Sequence, residues 1–141
     1  MAHDSPRRSR LAIAICVVTG LYWLAIFALT HSPIVPMPKI EVRAIDKIAH
    51  LGVFAGLAFL LCSAGTALGH RPQRLFAAVF AIVAIYGALD EVTQQLVPQR
   101  FSDFHDWIAD MLGAGIGITA FVIARESWLA LRGTRAAPNQ C

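Results

Sequence analysis

No feature constrains this chain more than the run from Leu11 to Leu29, LAIAICVVTGLYWLAIFAL, nineteen residues without a charge. A helix needs about 20 apolar residues to cross the hydrocarbon of a bilayer. Arg7, Arg8 and Arg10 precede the run and HSPIVPMP follows it. A secretory leader also opens on positive charge, but its apolar region is about 7–15 residues long and a small-x-small cleavage site follows. Neither condition is met, so the segment is expected to stay in the chain as a membrane span.

Three further apolar runs repeat the signal, and together they predict spans at about 11–30, 47–68, 75–95 and 103–124. Only 15% of the residues are charged and 57% are hydrophobic, whereas a soluble domain carries about 25% charged residues. The expected fold is all-α: one domain over residues 1–141, a polytopic bundle of four transmembrane helices. His31 to Arg43 holds three prolines and is expected to be an extended loop. Gly69 to Arg74 reads as a basic turn, and residues 133–141 as a disordered tail. Three cysteines make no disulfide framework. Cys16 and Cys62 lie inside apolar runs and read as small core residues.

Charge sets the orientation. Arg7, Arg8, Arg10, Arg71, Arg74, Arg125, Arg132 and Arg135 fall on one side of the spans, eight of the twelve basic residues. Basic loops stay cytoplasmic, so both termini are expected there. Seven of the nine acids fall on the opposite, outer side. The net charge of +3 invites a nucleic-acid partner. The basic residues form no stripe interleaved with aromatics, however, and none is expected.

The acids are not scattered. Asp90 to Gly117, DEVTQQLVPQRFSDFHDWIADMLGAGIG, holds five of the nine, and charge beside hydrocarbon needs compensation. Topology carries Asp46, Lys47 and His50 at the start of helix 2 to the same outer level. It carries Asp90, Glu91 and Gln94 there at the end of helix 3, and Asp103, Asp106 and Asp110 at the start of helix 4. Asp46 and His50 are spaced i,i+4, and Asp103, Asp106 and Asp110 form one stripe at i+3 and i+4. Asp110 falls roughly two turns into its helix, below the level marked by Trp107, and a carboxylate there should face a partner or a wet cavity.

Catalytic or metal-ligating roles are assigned to His50, Glu91, Asp106 and Asp110. Substrate-binding roles are assigned to Arg100, Gln94, Lys47, Asp46 and Asp103. Several have a plain structural alternative, but Asp110 lies too deep for a cap or dipole role. Asp103 suits a helix N-cap and Asp106 a helix-dipole partner; Asp90 and Glu91 suit a solvated helix end. His50 suits a bundle histidine paired with Asp46 or Asp106, and Arg100 suits a clamp on Asp103 or Asp106 or a grip on an anionic headgroup. His31 and His105 are expected to be exposed loop residues. Gly52 and Gly56 on helix 2, and Gly113 and Gly117 on helix 4, make small-xxx-small patterns expected to draw those two helices together.

These residues carry a resemblance. DKIAHLGVFAGLAFLL, then ALDEVTQQLVPQRFSDFHDWIADMLGAGIG, is similar to the VanZ-like family of bacterial membrane proteins. The spaced pattern is met by Asp46, Lys47, His50 and Phe54, then by Glu91, Gln94, Pro98, Arg100, Asp103, Asp106, Asp110 and Gly113. Gln99 departs from it, where the family form has glycine. The resemblance implies a protein of the bacterial inner membrane working at the cell envelope, in a family named for a member associated with teicoplanin resistance. It supplies no settled reaction.

Two functions fit these observations. The first is a membrane-embedded enzyme with an outer-face site. It would act on or bind a phospholipid or a lipid-linked envelope precursor, with a divalent metal such as Mg²⁺, Mn²⁺ or Zn²⁺ as the cofactor that one histidine and several carboxylates suit. The second is a non-catalytic envelope module whose charges form a structural network or a ligand-binding face. A transporter or proton channel is a weaker third, because helices 1 and 3 are apolar through their centres and show no continuous polar path.

Overall fold

Four helices follow one another in the computed structural model: α1 (Pro6–Thr30), α2 (Lys39–Ala67), α3 (Pro72–Gln94) and α4 (Phe104–Arg135). It describes residues 6–32, 39–98, 100 and 102–135, with the side chains of 6–8, 39–44 and 133–135 excepted. No strand occurs among them. Each helix contains a stretch long and apolar enough to cross a membrane: Ser9–Thr30, Ile45–Ala67, Pro72–Gln94 and Phe104–Arg132. Apolar side chains such as Leu21, Leu24, Ile85, Leu112 and Ile123 are exposed along the flanks. A water-soluble monomer rarely shows so much apolar surface, whereas hydrocarbon is its natural solvent.

α1, α2 and α3 open before their expected starts and α4 runs past its expected end, with the largest differences at α2 and α4. α2 opens at Lys39, eight residues before the expected start. Nothing after Pro38 breaks a helix, so residues 39–43 extend it instead of the loop. The prolines at 33, 36 and 38 lie outside the described residues. α4 continues to Arg135, eleven residues past the expected end and three into the tail read as disordered. ARESWLALR is all helix-forming, and the guanidinium of Arg132 sits 4.4 Å over the Trp128 ring one turn away. Residues 136–141 lie outside the described residues.

The turn between α2 and α3 follows from three residues. Gly69 takes φ +85°, where only glycine is unstrained. The His70 N–H then reaches Gly65 O and the Gly69 N–H reaches Thr66 O, both at 3.0 Å, the paired bonds of a Schellman cap. Pro72 opens α3 at a position that needs no N–H donor.

α2 is the axis of the bundle. It packs most extensively on α4 and also meets α1 and α3, while α1 barely touches α3. Phe54, Leu57, Ala58, Cys62, Val79, Val83, Ala114 and Phe121 form the buried core. The α2–α4 seam is closer than side chains would allow: a Cβ on Gly113 would overlap Leu51 O, and one on Gly117 would overlap Ala55 O. In hydrocarbon, close backbone approach replaces the hydrophobic drive available in water. The expected partners of those glycines are corrected. Gly52 faces open space and Gly56 faces the Tyr22 ring of α1; Leu51 and Ala55 form the α2 side of the seam. Tyr22 fills the notch above Gly56 because its hydroxyl donates to Val53 O at 3.0 Å.

Candidate functional site

The ends of α1 and α3 and the starts of α2 and α4 meet at one end of the bundle, and the polar residues meet there with them. Four carboxyl side chains are buried among the described residues: Asp90, Glu91, Asp106 and Asp110. None is the solvated helix end that Asp90 and Glu91 could have been. They divide into three groups with different partners.

The first group sits at the α1–α3 junction. Asp90 Oδ1 accepts from the Thr30 hydroxyl at 2.9 Å, and Oδ2 accepts from Gln94 Nε2 at 2.7 Å. Gln94 Oε1 in turn accepts from Arg100 Nη1 at 3.4 Å. Arg100 is not a clamp on Asp103 or Asp106. Its Nε donates to Ser32 O at 2.9 Å and its Nη2 to Leu29 O at 3.2 Å. The last carbonyls of a helix have no internal partner and carry partial negative charge, so a guanidinium suits them. His31, expected to be an exposed loop residue, stacks on Phe27 at 4.0 Å and meets Thr93 Oγ1 at 2.9 Å through Nε2. Its place at the end of an apolar span, at the level of Asp90, was the signal available in the sequence.

The second group joins α2 to the start of α4. Lys47 Nζ donates to Asp103 Oδ2 at 3.0 Å and to Asp106 Oδ1 at 2.7 Å. Asp103 is also the N-cap of α4, its Oδ1 accepting the His105 backbone N–H at 2.9 Å. That N–H, then Lys47, hold the Asp103 carboxyl well below the usual carboxylate range. His105 is exposed as expected and lies 2.8 Å from the same oxygen.

The third group is the deepest. His50 of α2, Glu91 of α3 and Asp110 of α4 bring one ligating atom each to within 4.8 Å of the others, and all three residues are buried. His50 Nδ1 lies 2.9 Å from Asp110 Oδ1. Glu91 Oε2 accepts the Asp103 backbone N–H at 2.8 Å, doing from α3 what the acid of a capping box does within one helix. Glu91 Oε1 and Asp110 Oδ2 are buried with no hydrogen-bond partner. Asp110 Oδ2 is turned to α3, where a Cβ on Gly87 would lie 2.8 Å from it. Trp107 holds the same contact closed, its Nε1–H donating to Ala84 O at 3.0 Å. Gly87 went unnoticed in the sequence, although a glycine inside a helical run is a standing sign of close approach.

A cavity of about 180 Å³ adjoins this third group, between α1 and α2. Thr30, Asp46, His50 and Arg100 are its polar lining. Asp46 and Asp106 also come within ligand distance of His50. Of the nine residues singled out from the sequence, then, His50, Glu91 and Asp110 converge, and Lys47, Asp103 and Asp106 pair with one another. Asp46 and Arg100 border the cavity, and Gln94 lies behind Arg100 in the Asp90 network. Below the cluster, Phe54 lies parallel to the His50 ring at 6.0 Å and stacks on Tyr86 at 5.7 Å, walling it from the hydrocarbon levels.

The model of the VanZ/LLP1 family matches residues 7–125. No curated protein and no solved structure matches the chain.

Proposed function

This chain belongs to the VanZ/LLP1 family and is a multi-pass membrane protein, and we propose that it acts on a phospholipid or lipid-linked envelope precursor through the His50–Glu91–Asp110 cluster. One observation carries the reading. Three helices deliver three buried ligating side chains to a single point, and two of their oxygens have no partner. A buried polar atom without a partner costs about 1–3 kcal/mol. Such a cost persists most readily where another molecule meets the atom. The adjoining cavity gives a route to His50, and Arg100 there has no carboxylate partner among the described residues. Its remaining N–H groups suit a phosphoryl oxygen. In this reading Arg100 holds the anionic headgroup, and His50 with the two carboxylates handles protons at the reacting centre.

By charge bias the cluster faces the outside of the inner membrane and the termini face the cytoplasm. The teicoplanin association belongs to the family's name. For this chain it is a consequence to be measured, as a change in glycopeptide sensitivity on deletion.

The test is reconstitution in vesicles of bacterial phospholipid, followed by mass spectrometry of the extracted lipids. Wild-type protein is expected to convert one lipid class, and His50→Ala and Asp110→Asn to leave it unchanged while melting near the wild-type temperature. A second reading, a purely structural network, is favoured by the fully satisfied Asp90 group. It prevails if those substitutions unfold the protein and no lipid changes.

A further inference from the structure

The unpartnered oxygens of Glu91 and Asp110 call for a cation, and we propose that His50, Glu91 and Asp110 bind a divalent transition-metal ion. The inference rests on the reading of this cluster as a site and adds the class of its cofactor. Glu91 is 5% exposed and Asp110 0%, so water does not offset their charge. Nearby cations are committed elsewhere. Lys47 is held by Asp103 and Asp106, and Arg100 by backbone carbonyls and Gln94. Among the described residues His50 alone faces the two carboxylates. An ion held by His50 and the two carboxylates supplies the missing positive charge.

The geometry needs little adjustment. The ligating atoms already lie within 4.8 Å of one another. The 2.9 Å between His50 Nδ1 and Asp110 Oδ1 is a hydrogen-bond length. An ion about 2.0–2.1 Å from each ligand holds a right-angled pair about 2.9 Å apart and a tetrahedral pair about 3.3 Å apart, so the observed spacing is close to either. Loading would replace the proton between them with the metal, since ligands bind deprotonated.

The donor set narrows the metal. Imidazole suits zinc and its neighbours, and carboxylates suit manganese and harder ions, so one nitrogen with two carboxylates points to Zn²⁺ or Mn²⁺ ahead of Ca²⁺ or Mg²⁺. The alternative set, Asp46, His50 and Asp106, is disfavoured because Lys47 Nζ stands 2.7 Å from Asp106 Oδ1 and would repel a cation. Three protein ligands leave a coordination position open, and a cavity borders the His50 ligand. When bound, such an ion polarises a phosphoryl oxygen or acidifies a water.

The experiment uses the full chain, purified in detergent and stripped with chelator. Zn²⁺, Mn²⁺ and Mg²⁺ are titrated separately by calorimetry, and bound metal is counted by elemental analysis. One equivalent of Zn²⁺ or Mn²⁺ per chain is expected, with Mg²⁺ at least tenfold weaker. Glu91→Gln and Asp110→Asn are each expected to lose at least tenfold in affinity. Should these variants fail to fold, the wild type still decides: Mn²⁺-loaded protein is expected to show nitrogen coupling from the His50 imidazole in electron spin echo spectra. The proposal is overturned if wild type takes up no stoichiometric ion, if nitrogen coupling is missing, or if both folded variants bind as wild type does. Lipid conversion that survives chelation overturns the metal and spares the lipid reading. Stoichiometric binding without lipid conversion supports the metal and removes the lipid reading.

Discussion

Asp90 and Asp110 are both nearly inaccessible acids at the same end of one bundle, 2% and 0% exposed, yet their surroundings differ. Asp90 has each oxygen occupied by a hydrogen-bond donor, the Thr30 hydroxyl and the Gln94 amide, with His31 Nδ1 3.7 Å from the first oxygen. Asp110 has one oxygen on His50 and the other on nothing. Both are acids kept from water, but the first is closed into a network that ties α1 to α3 and the second is left open. A satisfied buried network rigidifies; a partly satisfied one is costly. The contrast separates a closed network from an open cluster using hydrogen bonds alone, with no appeal to residue type.

The contrast can be broken most directly at Asp90. Asp90→Ala strips two charge-assisted hydrogen bonds and leaves Gln94 and Thr30 facing a gap. It is expected to cost about 3 kcal/mol, at 1.5–3 kcal/mol per bond to a charged group less relaxation, read as denaturation in detergent micelles. Asp110→Asn is expected to move stability by less than about 1 kcal/mol in either direction, because it keeps the acceptor for His50 and removes an uncompensated charge. If Asp110→Asn proves the more damaging of the two, the open cluster is a lock as well.

The seam that carries Asp110 to α2 gives the next effect. Gly117→Ala forces a methyl against Ala55 O, and backbone cannot yield as a side chain can. A loss of about 2 kcal/mol is expected, whereas Gly52→Ala, with nothing near it, should not destabilise. Equal effects would show that α2 and α4 do not meet as described.

Lys47→Met tests whether the middle group supports the deeper one. It leaves Asp106 without its cation and is expected to cost about 1 kcal/mol, since Lys47 is itself 35% exposed and screened. Raised metal affinity in this variant would mean that Asp106 has moved into the cluster as a further ligand.

The smallest effect is one of pH. The Asp103 carboxyl is depressed by the His105 N–H and then by Lys47. A depressed group stabilises fully above its unfolded value, near pH 4, and loses that contribution as pH falls through its folded value. The melting difference between wild type and Asp103→Asn is therefore expected to be constant above about pH 5 and to shrink below about pH 4. For a partly exposed carboxylate it should amount to about 0.5 kcal/mol. A difference that grows on acidification would contradict the cap and ion-pair assignment.

Much of this was legible from residues alone. Uncharged runs of membrane length have one good solution in hydrocarbon, a helix whose backbone bonds are internal, so four spans and their order followed from composition along the chain. The convergence of helix 2, helix 3 and helix 4 acids at one level followed too, because alternating spans must return to the same face. Partners did not follow. Arg100 could have met Asp103, Asp106 or a headgroup. Only the crossing of the loop over the end of α1 gave it Leu29 O and Ser32 O. Gly52 and Gly113 looked equivalent in sequence, but helix rotation put one against open space and the other against α2. Periodicity fixes which residues share a face of a helix; it is silent on which neighbour that face meets. Sequence therefore determined the membrane bundle and the level of its charges. Tertiary structure decided which carboxylates are satisfied and which are left open, because hydrogen bonds between helices depend on rotation and approach over distances of one side chain.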